Sequence, residues 1–503
     1  MQGQSMIAAV DLGSNSFHLQ VARVVGDQIY PLDSLREPVR IGAGLTADKR
    51  LDEPAQARAL AALAQFGERL RGLRPEAVRA VGTNTLRVAK NAREFLARAR
   101  SVLGFPIEVV AGREEARLIY LGVAHGLPPS FERRLVVDIG GGSTEFIIGA
   151  GLDPIRLESL YMGCVSYSLR HFPDGRLTKT NFRAAETAAG AELQTIRSAF
   201  QRGHWHEAYG SSGTARAIAE LLEWNGYTDS GITLAGMHEL RAQMIRVGSI
   251  DRLDSRAIAG LRADRKPVIP GGLAIMLAAF EALDITHMAV ASGAMRQGIL
   301  YDMLGRFQHH DMRDLTVAQF RERYHADPVQ AERVGSLALA LLGQMLPADD
   351  PAGEATTQLL GWAAQLHEIG ISVAHSGYHK HGAYILRNAD MPGFSRSEQA
   401  RLATLVLAHR GSLDKMQGLL DTRQDTATVL SLRLAALFHR SRVDTPPPRL
   451  EARYSGDQCR LRVDPEWLAC NPLTASLLRE EIEQWRKAGL SLEVRPQQAL
   501  EAA

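Results

Sequence analysis

Asp138-Ile139-Gly140-Gly141-Gly142-Ser143-Thr144-Glu145 lies between two apolar runs, Leu135-Val136-Val137 and Phe146-Ile147-Ile148. That order reads as strand, tight turn, strand. Three glycines let backbone N–H groups turn inward with no Cβ in the way, which makes a concave seat for an anion. Ser143 and Thr144 add hydroxyl donors. Asp138 and Glu145 bracket the loop, and beside a phosphate they would repel it unless a hard cation such as Mg²⁺ sits between.

The pattern recurs near the start of the chain. Ile7-Ala8-Ala9-Val10 leads into Asp11-Leu12-Gly13-Ser14-Asn15-Ser16, and Phe17-His18-Leu19-Gln20-Val21 follows. A single glycine-rich loop is more often an ordinary hairpin turn than a ligand site. Two copies with an aspartate at the same place point to a duplicated half-domain, its two phosphate loops facing each other across a cleft.

The rest of the chain sets bounds on this picture. At 503 residues it is too long for one core, and three or four domains are expected. Hydrophobic content of 45% and charged content of 23% are ordinary for a globular protein. The net charge of +2 selects no partner, so anion binding must come from local patches. Cys164, Cys459 and Cys470 have no Cys-x-x-Cys spacing, which argues against a disulfide framework or a thiolate zinc site and fits a reducing cytoplasm. The N-terminus enters a strand almost at once, so no secretory signal is expected. The longest apolar stretch, Gly271 to Phe280, is too short to span a bilayer.

Hydrophobic periodicity divides the chain into four parts. Residues 1–126 and 127–305 alternate strands with helices. Among the helices are one at 52–70, with Pro54 in its first turn, and one opened by Gly112-Arg113-Glu114-Glu115. The strand at 77–82 runs into Thr83-Asn84-Thr85-Leu86-Arg87, a polar strand end of the kind that meets a ligand. Ser211-Ser212-Gly213 follows another strand and opens a helix, a third phosphate contact. Residues 306–445 read as helices only and carry His367, His375, His379, His381, His409 and His439. Asp444-Thr445-Pro446-Pro447-Pro448 is a stiff linker to a small α+β tail over 446–503.

Four stretches taken together carry a family resemblance: Asp11 to His18, Gly112 to Leu118, Asp138 to Glu145, and Met162-Gly163-Cys164-Val165. Leu366 to Gly370 and His375 to His381 extend it through the helical region. The chain resembles the exopolyphosphatase/guanosine pentaphosphate phosphohydrolase (Ppx/GppA) family, and within it a long-form bacterial exopolyphosphatase. The resemblance implies an actin-like (ribonuclease H-like) α/β core of two lobes, an all-helical HD-like domain and a small C-terminal domain. It implies Mg²⁺-dependent, processive hydrolysis of the terminal phosphoanhydride of inorganic polyphosphate, and it admits a monovalent cation such as K⁺. A homodimer in the cytoplasm is expected, compatible with peripheral membrane association, with no nucleic-acid partner and no integral membrane segment.

The resemblance also assigns residues. Glu115 corresponds to the catalytic glutamate that orients and deprotonates water, with Glu114 ranked below it. Without the resemblance, a carboxylate there would read as helix-end electrostatics. Asp138, Glu145 and Asp11 are the metal-side carboxylates. Gly13, Ser14, Asn15, Ser16, Arg87, Gly141, Gly142, Ser143, Thr144, Ser212 and Gly213 hold phosphates, with Arg265 and Lys266 as weaker candidates. Arg296 receives no role, because Gln297 departs from the Arg-Glu-Gly pattern of the family. His367-Glu368 lacks the His-Asp pair of HD enzymes, so a second metal centre is not expected there. His379, Lys380, His381, Arg387, Arg410, Arg440 and Arg442 could line a polyanion track or simply form a solvated face.

Other activities fit less well. Guanosine pentaphosphate (pppGpp) phosphohydrolase is the main alternative, against which stands Gly142, since pentaphosphate-specific relatives tend to carry alanine there. A small-molecule kinase of the same superfamily needs an acceptor-positioning aspartate that is not identifiable. There is no P-loop motif. A sensor with a dead site is hard to reconcile with intact Glu115, Asp138 and Glu145.

Overall fold

The structure is a computed structural model describing residues 6–496 apart from 27, 129, 308–310, 347–352, 414–415, 417–421, 444–446 and 456–457. Its contacts group the chain into two units: 1–312 with 392–396, and 313–391 with 397–503. The second unit takes in both the helical region and the tail. Part of the proline linker, 444–446, lies outside the described residues.

The first unit holds two sheets of one design. Strands β1 (Met6–Leu12), β2 (Phe17–Val25), β3 (Gln28–Glu37), β4 (Val78–Gly82) and β5 (Ile107–Val109) form a sheet in the order β3-β2-β1-β4-β5. Strands β6 (Arg134–Ile139), β7 (Thr144–Ala150), β8 (Asp153–Leu160), β9 (Glu207–Ser211), β10 (Ile232–Thr233) and β11 (His287–Val290) form the other, in the order β10-β11-β9-β6-β7-β8. In each, the opening hairpin is antiparallel and the next strand adds in parallel beside the first. The duplication inferred from the two glycine loops is thus a duplication of topology. Its register is equivalent too: Asp11 lies opposite His18, and Asp138 opposite Glu145.

Strand composition follows from double coverage. Ile7, Ala8, Ala9 and Val10 are all fully buried, as expected where helices cover both faces. The helices Glu53–Leu70 and Ala92–Leu103 pack Leu63, Phe66, Phe95 and Leu103 against one face of the first sheet. Asp52 starts the former by accepting from the Ala55 N–H at 2.8 Å, with Pro54 in the first turn. In the second lobe the helix Ile269–Leu283 is buried nearly all round, which explains why its apolar residues show no single stripe.

A third cluster joins the lobes. Ile7, Ala9 and Val81 from the first sheet meet Val136 and Ile147 from the second, around Leu118, Ile119 and Val123 of the helix Gly112–His125 and Ile299 of the helix Met295–Phe307. These helices cross at glycines: a Cβ on Gly298 would stand 1.7 Å from the Leu118 carbonyl oxygen, and one on Gly122 would stand 2.1 Å from that of Ala294. The close crossing fixes Gly112–His125 between the sheets. Buried ion pairs reinforce it: Asp302 accepts from Arg79 and Arg117, both at 2.5 Å, and Arg117 also holds Glu114. Burial would raise the Asp302 pKa, but Arg117, Arg79 and Arg306 hold it well below the usual carboxylate range.

The second unit is a set of helices, among them Pro328–Met345, Gly353–Leu366, Tyr378–Asn388 and Arg423–Phe438. It also has a three-stranded sheet of β12 (Glu451–Ser455), β13 (Gln458–Val463) and β14 (Ser491–Pro496). No helix among the described residues is long and apolar enough to cross a membrane.

Candidate active site

Each glycine loop follows the carboxyl end of the central strand of its sheet, the place where open α/β sheets bind ligands. Between the two lies a cleft of about 430 Å³. The first lobe contributes Asp11, Gly13, Ser14, Asn15 and Ser16 to its wall; the second contributes Asp138, Gly141, Ser143, Ser212 and Gly213. The Ser16 hydroxyl and Asn15 Oδ1 are buried there with no hydrogen-bond partner, which leaves them available to an incoming group. Thr85 Oγ1 donates to Ser14 Oγ at 2.7 Å and braces the first loop. Ser212 opens the helix Ser212–Trp224, so its N-terminal amide groups add a seat for negative charge.

Glu114 and Glu115 are neighbours in the first turn of one helix, about 100° apart around its axis, and the structure separates their roles. Glu114 takes two nitrogens of Arg117 at 2.8 Å and the Gly393 N–H at 2.9 Å, so its acceptor capacity is used inside the fold. Glu115 lies on the cleft wall. Its Oε2 accepts from Arg87 Nη1 at 2.6 Å, and the same nitrogen also reaches the Val110 carbonyl at 3.1 Å.

Four carboxyl groups share this region. Burial, opposed by Arg296 and reinforced by Glu115 and Asp138, pushes Asp11 up to about 7. Burial also pushes Asp138 up to about 7, with Ser211 lowering it and Glu115 raising it. Glu145 is raised well above its ordinary value by burial, then by Glu115 and Asp138. Asp11, Asp138 and Glu145 share too little solvent to ionise together unless positive charge arrives. Hard oxygen donors fit Mg²⁺, which takes one or two carboxylates and completes its shell with water and phosphate. The donor set suits that mode and not a protein-only cage: among the described residues no three His, Cys, Asp or Glu side chains converge on a metal position.

Four expected ligands sit elsewhere. Thr144 is fully buried and gives its hydroxyl to the Met162 carbonyl at 2.6 Å, so it props the loop and does not face the cleft. Glu145 is 1% exposed, accepts from Ser159 at 2.8 Å and is not part of the wall. Gly142 backs onto the first lobe, where a Cβ would stand 2.4 Å from Asn84 Oδ1. Arg87 is docked on Glu115 and does not fork toward the loops. Its segment is a short helix, Asn84–Val88, where the sequence suggests a strand end.

Of the cationic side of the cleft, the sequence reading offered only Arg265, gave Arg296 no role, and missed Arg36 and Arg216. Arg36, Arg216, Arg265 and Arg296 all line it. Arg296 meets His18 Nδ1, and burial together with Arg296, Arg36 and Arg265 pushes the His18 pKa down to about 3, so that ring is neutral. Arg265 lies over the third loop: a Cβ on Gly213 would stand 2.1 Å from its Nη2. Lys266 is turned to the Asp251 carbonyl at 2.6 Å and is not on the wall. One signal could have found Arg296, namely its place just beyond the carboxyl end of β11.

Comparison with known proteins adds three findings. Residues 20–307 match the Ppx/GppA phosphatase family, and residues 312–482 match Ppx/GppA phosphatase, domain III. A guanosine-5'-triphosphate,3'-diphosphate pyrophosphatase of Pseudoalteromonas translucida (strain TAC 125) is 38% identical over 494 residues, covering 97% of this chain and 98% of the relative. Among solved structures, the Ppx/GppA family member of Aquifex aeolicus is 25% identical with a TM-score of 0.51, covering 61% of this chain and all of its own. An exopolyphosphatase from Cytophaga hutchinsonii ATCC 33406, 24% identical with a TM-score of 0.53 over 60% of this chain and 98% of its own, shares the fold.

Proposed function

The chain belongs to the Ppx/GppA phosphatase family, and from that premise we propose that it is an exopolyphosphatase, releasing orthophosphate from the end of inorganic polyphosphate with Mg²⁺. The observation that carries this reading is the meeting of Glu115, Asp138 and both glycine loops on one cleft.

In this mechanism the loop amides and the Ser14, Ser16 and Ser143 hydroxyls hold the terminal phosphoryl oxygens. Glu115 orients a water and takes its proton as the water oxygen bonds to the terminal phosphorus. The bond from that phosphorus to the bridging oxygen breaks, and the shortened chain leaves with the electron pair. Arg87 keeps Glu115 in one rotamer. Asp11 and Asp138 would hold Mg²⁺, which supplies charge neutralisation for the phosphates when bound. The arginines opposite, Arg36, Arg265 and Arg296, attract the chain beyond its terminal unit.

Gly142 favours polyphosphate over pppGpp, because pentaphosphate-specific relatives tend to carry alanine there and an added Cβ would press on Asn84 and Ser14. The second reading, pppGpp 5'-phosphohydrolase, is favoured by the name of the 38% identical relative. Phosphate release from long polyphosphate and from pppGpp, measured in parallel with and without Mg²⁺, separates the two. A kcat/KM for pppGpp above that for polyphosphate ends would overturn the first choice.

A further inference from the structure

The helical unit contains a second cavity, of about 480 Å³, within the size range of small-molecule sites. Its interior offers hydrogen-bond acceptors. His367 and His409 each direct Nδ1 at a carbonyl, Ala364 and Val406, both at 2.6 Å. A carbonyl only accepts, so each Nδ1 carries the proton and each Nε2 is an acceptor; that of His409 lies 3.5 Å from the Tyr378 hydroxyl, while that of His367 lies 3.7 Å from Glu368 Oε1, which cannot donate when ionised. The rings are 2% and 3% exposed and meet edge to face with centroids 5.3 Å apart. Burial lowers both imidazole pKa values, which keeps the rings neutral. Gln330, 3% exposed, donates its amide to the His439 carbonyl at 2.8 Å, while its Oε1 has no partner. Such an orphaned acceptor destabilises the fold until a donor reaches it.

Arg442 donates to Glu368 at 2.5 Å, placing a guanidinium against the carboxylate beside His367. Arginines outnumber acids on the exposed side of the cavity, its mouth: Arg440 and Arg442 line it beside Glu480, and Arg410 lies over the Tyr378 ring at 4.7 Å.

We propose that this cavity binds a nucleotide, with N–H donors of its base on His367 and Gln330 and its phosphate on the arginines of the mouth. A bare phosphate chain carries no such donors and would leave the interior acceptors unmet. The inference stands independently of which anhydride the cleft hydrolyses.

The test is calorimetric titration of the full chain carrying Glu115→Gln, using GMP, AMP, ribose 5-phosphate and pyrophosphate as probes. At least one nucleotide should saturate a single site with a submillimolar Kd, at least about tenfold tighter than ribose 5-phosphate or pyrophosphate at that site, since one satisfied hydrogen bond is worth about that factor. Gln330→Leu should weaken it about tenfold, as should Arg440→Ala at an exposed position that leaves the fold alone. Paired Ser14→Ala and Ser143→Ala changes in the cleft should leave it in place. The proposal falls if neither nucleotide saturates below about 5 mM, if pyrophosphate binds the site equally well, if Arg440→Ala changes nothing, or if the cleft variant abolishes binding.

Discussion

Replacing Asp138 by asparagine should make the metal-free protein more stable while abolishing its turnover. The carboxyl sits at about 7 in the fold against 3.8 ordinarily, with burial as the main cause. The folded state therefore keeps a proton over a range where the unfolded chain has lost it. The stabilisation this brings is complete below about pH 4 and drains away as pH rises to about 7. From 3.8 to about 7, at about 1.4 kcal/mol per pH unit, the ionised carboxylate costs the fold about 4 kcal/mol, of which roughly 2 develops between about pH 5.5 and about pH 8. Asparagine carries no such cost and can still pair with Ser211. Denaturant unfolding of both proteins in chelator should show wild type losing more stability than Asp138→Asn over that interval. Mg²⁺ at about pH 8 should recover the loss in wild type and do less for the variant. At pH 7 Asp11 and Asp138 are each about half protonated, so Mg²⁺ binding to wild type should release about one proton, and about half of one in the variant. Parallel pH profiles for the two proteins would refute the assignment of Asp138 as a buried acid poised for a cation.

Three other outcomes follow from the same geometry. Glu115→Gln should lower kcat by about 10²–10⁴-fold with substrate affinity nearly unchanged; near-normal turnover would remove Glu115 as the base. Arg87→Met should lower kcat by about tenfold or more with KM within about threefold, because the guanidinium acts through Glu115; a large rise in KM alone would make it a phosphate ligand instead. Asp302→Ala leaves Arg79 and Arg117 buried without their shared carboxylate and should cost about 3–5 kcal/mol in chemical unfolding; a loss under about 1 kcal/mol would show that those charges find water.

The parts of this protein that could be read from its sequence are those written in local spacing. The glycine loops, the aspartate ahead of each and the apolar runs beside them lie within about a dozen residues, and they announce both the duplication and the cleft. The division of labour between Glu114 and Glu115 is not local. It depends on Gly393, 279 positions away, and on Asp302, which anchors Arg117. Arg87 could be placed near the site, but its partner lies 28 residues on and pulls it from phosphate to glutamate. Thr144 follows Ser143 in the same loop, yet begins β7, where the side chain turns inward to the Met162 carbonyl. Arg296 sits in a broken Arg-Gln-Gly version of the family pattern; its relevance comes from where β11 ends and from its neighbour His18.

The unequal cross-strand partners of the two aspartates have a consequence for direction. Opposite Asp138 stands an acid, Glu145; opposite Asp11 stands a neutral imidazole pressed by arginine. Two halves with a common ancestry of shape thus set unlike neighbours across from equivalent aspartates. On the polyphosphate reading, a ribbon of identical phosphates has no head or tail of its own, and arginines set beside carboxylates would give it one: the flank drawn to the arginines would stay tethered, while the tip would be left among the carboxylates to be clipped.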